Sequence, residues 1–134
     1  MVVDTSALVA ILRNEPERRS LIEALEGADV RHISAATLVE TSIVIESRFG
    51  PEGLRHLDAF LARAGIEVIP VNGEQAHLAR EAFSRLGKGR HPAALNYGDC
   101  FSYALARVLA EPLLCKGDDF SRTDLTIAGA RHLA

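Results

Sequence analysis

The chain has 134 residues, a formal net charge of −3, 48% hydrophobic and 25% charged residues. That is one domain's length with enough apolar side chains for a core, and it excludes disorder. The acidic balance argues against a constitutive nucleic-acid binder with a broad basic face, though not against a nuclease that recruits metal ions to handle phosphate.

Val2 and Val3 are β-branched and predict a short buried strand that ends at Asp4, with a helix from Ser6 to Leu12. Glu15-Pro16-Glu17 opens a second helix with Leu21, Ile22 and Leu25 on one face and Gly27 past its end. Val30 to Ser34 reads as a strand, and Ser34 caps a helix through about Arg48 that Gly50-Pro51 ends. A further helix runs from Pro51 to about Ala64, with Leu54, Leu57, Phe60 and Leu61 at helical spacing. Gly65 closes it, and Ile66 to Ile69 is a strand before Pro70. Glu74 to Leu86 is an amphipathic helix. After the loop Gly87 to Pro92 comes a helix from about Asn96 to Leu109. Pro112 to Cys115 is a strand, and Leu125 to Ile127 is a candidate for a last one. Strands separated by helices imply parallel pairing with helices on both faces. The expectation is therefore a single domain over residues 1–134, a three-layer α/β/α sandwich with a mainly parallel central sheet. With five Phe, two Tyr and no Trp, its core must be mostly Leu, Val, Ile and Ala.

Two cysteines, Cys100 and Cys115, are too few for a disulfide framework and lack CxxC spacing. The five histidines show no HxxxH or HExxH pattern, which speaks against zinc. No apolar run approaches the ~18 residues of a membrane span, and a strand starting at residue 2 leaves no place for a signal peptide. The expected location is the cytoplasm.

Four acidic positions stand out. Asp4 ends the first strand, where open α/β sheets place their ligands, although it could simply cap the next helix. Glu40 is the only charge in Ala35 to Ile45; it is either a surface residue or a costly buried carboxylate in need of a partner. Asp99 is the only formal charge between Pro92 and Ala106. It could sit in a first helical turn capped by Asn96, where the helix dipole favours it. Asp118 and Asp119 follow the strand at Leu113 to Cys115 and could form a turn. Each has an ordinary explanation, but all four sites can converge at one end of the sheet. Like charges so close would repel unless a cation neutralised them. Hard oxygen ligands with no Cys or His nearby select Mg²⁺, with Mn²⁺ as a possible substitute. An ion so held, on Asp4 and Asp99, can bind a scissile phosphate and activate a water for attack. Thr5 and Ser6 could orient the carboxylates. Lys88, Arg90 and His91 could form a basic rim for flanking phosphates, or be a solvated connection.

The motifs Met1-Val-Val-Asp4-Thr-Ser-Ala, Leu38-Val-Glu40-Thr, Leu95-Asn-Tyr-Gly-Asp99-Cys-Phe-Ser-Tyr-Ala and Leu113-Leu-Cys-Lys-Gly-Asp-Asp-Phe120 resemble a PIN-domain ribonuclease of the VapC toxin type. The likeness spans essentially the whole chain, and the four motifs are specific only together. It implies a PIN-like fold, Mg²⁺-dependent endonucleolytic cleavage of RNA, a small VapB-type antitoxin as partner and a homodimer. It puts Asp4, Glu40 and Asp99 on the family's acidic positions and the fourth acid on Asp118 or Asp119, with the acid next to Phe120, Asp119, favoured. Two alternatives are a housekeeping PIN-type RNA-processing nuclease without antitoxin and an inactive RNA-binding module. A haloacid-dehalogenase-type phosphatase would need a second Asp two residues after the first, where this chain has Ser6.

Overall fold

A computed structural model describes residues 1–129. Val2–Val3 form β1, and α1 spans Thr5–Leu12. α2 is Arg18–Glu26, β2 is Arg31–Ser34, and α3 is Ala35–Arg63. The rest comprises β3 (Ile66–Ile69), α4 (Gly73–Leu86), α5 (Tyr97–Leu109) and β4 (Leu113–Leu114), then a 3₁₀ turn at Phe120–Arg122. The four strands pair in the order β3-β2-β1-β4, every pair parallel. Val2 lies beside His32 on one side and Leu113 on the other, and Val3 beside Leu114.

The two-residue strands show how the layers arise. Successive side chains on a strand point to opposite faces. Val3 and Leu114 pack with Leu8 and Ile11 of α1, Leu21 and Leu25 of α2, and Leu57 and Leu61 of α3. Val2 and Leu113 pack on the other face with Ala82 and Leu86 of α4 and Tyr103 and Leu105 of α5. Both faces are covered, so β1 carries no polar side chain until Asp4. The α/β/α expectation holds.

Several boundaries differ from the sequence reading. α2 begins a turn later than Glu15. The stretch from Ala35 to Arg63 runs as one helical span bent at Gly50, whose φ of 67° and ψ of −162° leave the helical region. Glycine tolerates that positive φ, and Pro51 restarts the helix at a position needing no N–H. Leu125 to Ile127 forms only a single parallel bridge from Ile127 to Leu113, so the sheet gains no fifth strand. Among the described residues no helix is long and apolar enough to cross a membrane.

Candidate active site

Asp4 leaves β1 in extended conformation and is the N-cap of α1, accepting from the Ser6 N–H at 3.0 Å. The two readings of this residue therefore do not compete: it caps the helix and faces a cleft. Its Oδ2 also accepts from Ser6 Oγ at 2.8 Å, and its Oδ1 accepts from Ser102 Oγ at 2.5 Å. Asp4 is 3% exposed, and three donors are what such a buried carboxylate needs. Ser6 Oγ in turn accepts from the Lys116 N–H at 2.9 Å, tying the exit of β4 to the start of α1.

Glu40 lies in the second turn of α3, half-buried. Its apolar neighbours are not core: Val39 and Ile43 are 58% and 60% exposed. Val39 and Ile43, four residues apart, share the exposed side of α3, Thr37 and Thr41 share the buried side, and Glu40 lies at the edge between them. Thr5 Oγ1 donates to Glu40 Oε1 at 2.7 Å and lies 2.9 Å from Thr41 Oγ1. Thr41 donates to the Thr37 carbonyl at 2.8 Å, and the Thr37 hydroxyl is 3.3 Å from that of Ser102. A buried set of hydroxyls thus spans the space between the Asp4 and Glu40 carboxylates. Gly98 completes the seat of Glu40. A Cβ there would lie 2.6 Å from Glu40 Cδ and 2.7 Å from Oε1, so the carboxylate rests against bare backbone in the first turn of α5.

Asp99 sits in that turn in a full capping box. Its N–H donates to Asn96 Oδ1 at 2.9 Å, and its Oδ2 accepts from the Asn96 N–H at 3.0 Å. Burial, and next the charges of Asp4, Glu40 and Asp119, raise its pKa to about 6, against the lowering effect of the Asn96 hydrogen bond. The charge of Asp119 acts on Asp99 across space. Asp119 opens the 3₁₀ turn without using its side chain as a cap, next to buried Phe120. Asp118 serves the turn through its carbonyl, which accepts from Ser121 Oγ at 2.6 Å.

The cleft, about 310 Å³, is lined by Asp4, Thr5, Ser6, Val9, Glu15, Glu40, Asn96, Asp99 and Lys116. Three of the four expected acids meet there. The loop bearing Lys88, Arg90 and His91 does not line it: Arg90 stacks over Phe83 at 5.7 Å, and His91 Nδ1 accepts from the Ala93 N–H at 3.0 Å. The cation that does is Lys116, which sequence reasoning passed over because nothing in its neighbours marks it. Ser102 was also missed, though its place one helical turn after Asp99 in an apolar stretch was a usable signal. The expectation that no cysteine lies nearby needs correction. Cys115 feels the charges of Asp4, Asp99 and Asp119; burial, with their help, pushes its thiol up to about 12. It stays protonated at neutral pH and offers no thiolate.

The donor set is therefore hard oxygen. Among the described residues no three Asp, Glu, His or Cys side chains are already drawn together at metal-ligating distance. Oxygen donors of this kind fit a hard divalent cation better than a soft one. A family model for the PIN domain matches residues 1–125. The chain belongs to the PIN-domain family. Within it, this PIN domain is of the VapC ribonuclease type. It is 56% identical over 125 residues to the ribonuclease VapC of Mycolicibacterium smegmatis, covering 93% of this chain and 97% of that protein. It is 51% identical over 125 residues to the ribonuclease VapC30 of Mycobacterium tuberculosis, covering 93% and 95%. The PIN fold is similar to that of Mycobacterium tuberculosis VapC20, described as a Sarcin-Ricin loop cleaving toxin. The TM-score is 0.76 at 20% identity, over 93% of this chain and 95% of that one. It is also similar to VapBC2 from Rickettsia felis bound to a DNA fragment from their promoter, with a TM-score of 0.73 at 19% identity over 94% of each chain. At those identities the structures speak for the fold.

Proposed function

We propose that the protein is a Mg²⁺-dependent endoribonuclease, with Mn²⁺ able to substitute, and the toxin of a VapBC-type module in the cytoplasm. The observation that carries this reading is the convergence of Asp4, Glu40 and Asp99, from three separate elements, in one cleft. Burial first, and then the charges of Asp4 and Glu40, raise the pKa of Asp99, and carboxylates so placed favour a bound cation. Asp4 and Asp99 would hold the ion, with Asp119 supplying outer charge. When bound, such an ion offers Lewis-acid stabilisation of the phosphate and leaving oxygen and lowers the pKa of its water. The chain's own part is orientation and proton handling. Ser102 and Ser6 fix both oxygens of Asp4. Thr5 holds Glu40 Oε1, which leaves Oε2 to orient or deprotonate the attacking water.

The acidic cleft also suggests how activity would be held in check. A guanidinium or ammonium from a VapB-type antitoxin could replace the metal among the carboxylates. Related folds in VapBC2 from Rickettsia felis and in a toxin–antitoxin complex from Klebsiella pneumoniae support that partner, and a homodimer is part of the same reading. The test is expression. The chain alone should arrest growth, Asp4→Asn should not, and co-expression of the adjacent small gene should relieve the arrest. The purified protein should cleave RNA with Mg²⁺ and stop in chelator. Undiminished cleavage in excess chelator would refute the metal mechanism, and harmless expression would refute the toxin role.

A further inference from the structure

We propose that Lys116 binds a phosphate of the RNA substrate next to the scissile bond, presented at the cleft edge by its ion pair with Glu15. The inference rests on the nuclease reading and adds to it the group that receives the substrate's own charge. Metal ligation by Asp4 and Asp99 serves one phosphate; an RNA strand brings others, and an acidic cleft repels them unless a cation stands by. Lys116 is the one cation among the residues that line the cleft.

Its placement is set from two sides. The backbone N–H donates to Ser6 Oγ, which itself donates to Asp4, so the Lys116 backbone is two hydrogen bonds from a carboxylate of the metal site. At the far end, Nζ donates to Glu15 Oε1 at 2.5 Å and lies 3.9 Å from Glu17 Oε1. That Glu17 oxygen is buried without any hydrogen-bond partner, so it holds the ammonium by charge alone. Arg13 pairs with Glu15 at 3.2 Å. Two acids and two bases leave the group neutral, and an arriving phosphate meets no net repulsion there. An ammonium has three protons to give. Among the described residues only Glu15 takes one, and the side chain is 39% exposed. The ion pair removes much of the rotamer freedom that a loose lysine would lose on binding.

A purely structural staple between β4 and the α1–α2 loop would share this geometry, so the test reads something a staple does not move. Steady-state cleavage of a 5′-labelled single-stranded RNA with Mg²⁺ is measured over a series of KCl concentrations. For Lys116→Ala the expected result is a KM about tenfold higher at low salt, about 1.4 kcal/mol, with kcat little changed. The slope of log KM against log salt should fall by about 0.7, the share of one phosphate contact to a single strand. Lys116→Arg should keep the wild-type slope. An unchanged slope in Lys116→Ala overturns the proposal, whatever happens to KM. If the wild type itself fails to cleave, the nuclease reading falls first; if it cleaves and the slope is unmoved, only this inference does.

Discussion

Gly98→Ala separates function from stability in opposite directions. Gly98 is the second residue of α5, in a helical turn where alanine is intrinsically favoured by about 1 kcal/mol over glycine. Its missing side chain is filled by the Glu40 carboxylate: an added Cβ would lie 2.6 Å from Glu40 Cδ, where ordinary contact begins at 3.4 Å. Glu40 is the flexible end of a long side chain, so it gives way in preference to the helix. The carboxylate must retreat by about 1 Å, and a displacement of that size at a reacting centre can cost about 100-fold in rate. Retreat also strains the 2.7 Å bond from Thr5, which in the proposed mechanism helps aim Oε2 at the water. The expected variant melts at or slightly above the wild-type temperature yet cleaves RNA about 100-fold more slowly at saturating Mg²⁺. Thermal melting by circular dichroism and single-turnover cleavage measure the two arms. Wild-type cleavage would refute the argument, because Glu40 would then not need its seat against α5. A large loss of melting temperature would equally show that backbone, and not Glu40, absorbs the clash.

Other outcomes follow from the same geometry. Asp99 titrates near 6 folded against 3.8 as a free group. Between those values the folded state holds more protons than the unfolded one, so its contribution to stability falls as pH rises through that window. Metal-free Asp99→Asn should therefore melt higher than metal-free wild type at about pH 7.5, with the gap closing towards pH 4; an equal gap at both would contradict the cause assigned. Protons should also compete with Mg²⁺, so cleavage by the wild type should decline below about pH 6. Ser102→Ala removes a donor from buried Asp4 and should cost about 1.5–3 kcal/mol in stability together with Mg²⁺ affinity, read by titration calorimetry; unchanged affinity would make Ser102 a packing residue only. Asp119→Asn should impair cleavage more than Asp118→Asn, because Asp119 acts on Asp99 while Asp118 serves its turn through a carbonyl that the substitution keeps. The reverse order would exchange their roles.

Much of the frame was legible in the chain because it depends on local periodicity and punctuation. Val2-Val3 could only be a buried strand, Ser34 and Asn96 cap the helices they were expected to cap, and Gly50-Pro51 bends the chain where it stands. The acids at 4, 40 and 99 could be singled out because each is alone among uncharged residues. What surrounds them was not legible. Val39 and Ile43 look like core in a list of residues and are exposed on α3, since facing depends on which side of the helix the sheet lies. The basic loop at 88–91 reads as a natural phosphate rim and folds elsewhere, while Lys116, unremarkable in sequence, reaches the cleft.

The sequence by itself determined which elements form and which carboxylates stand alone among uncharged residues, because helix caps, strand ends and hydrophobic period are set by neighbours a few residues away. Only the tertiary structure decided what meets across the chain: Ser102 on Asp4 over 98 positions, Lys116 on Ser6 over 110, and Glu40 in the space that Gly98 leaves open. Such contacts follow from parallel pairing of β1 with β4 and from the packing of α3 against α5. Their energies depend on burial and distance, which no local pattern of residues encodes.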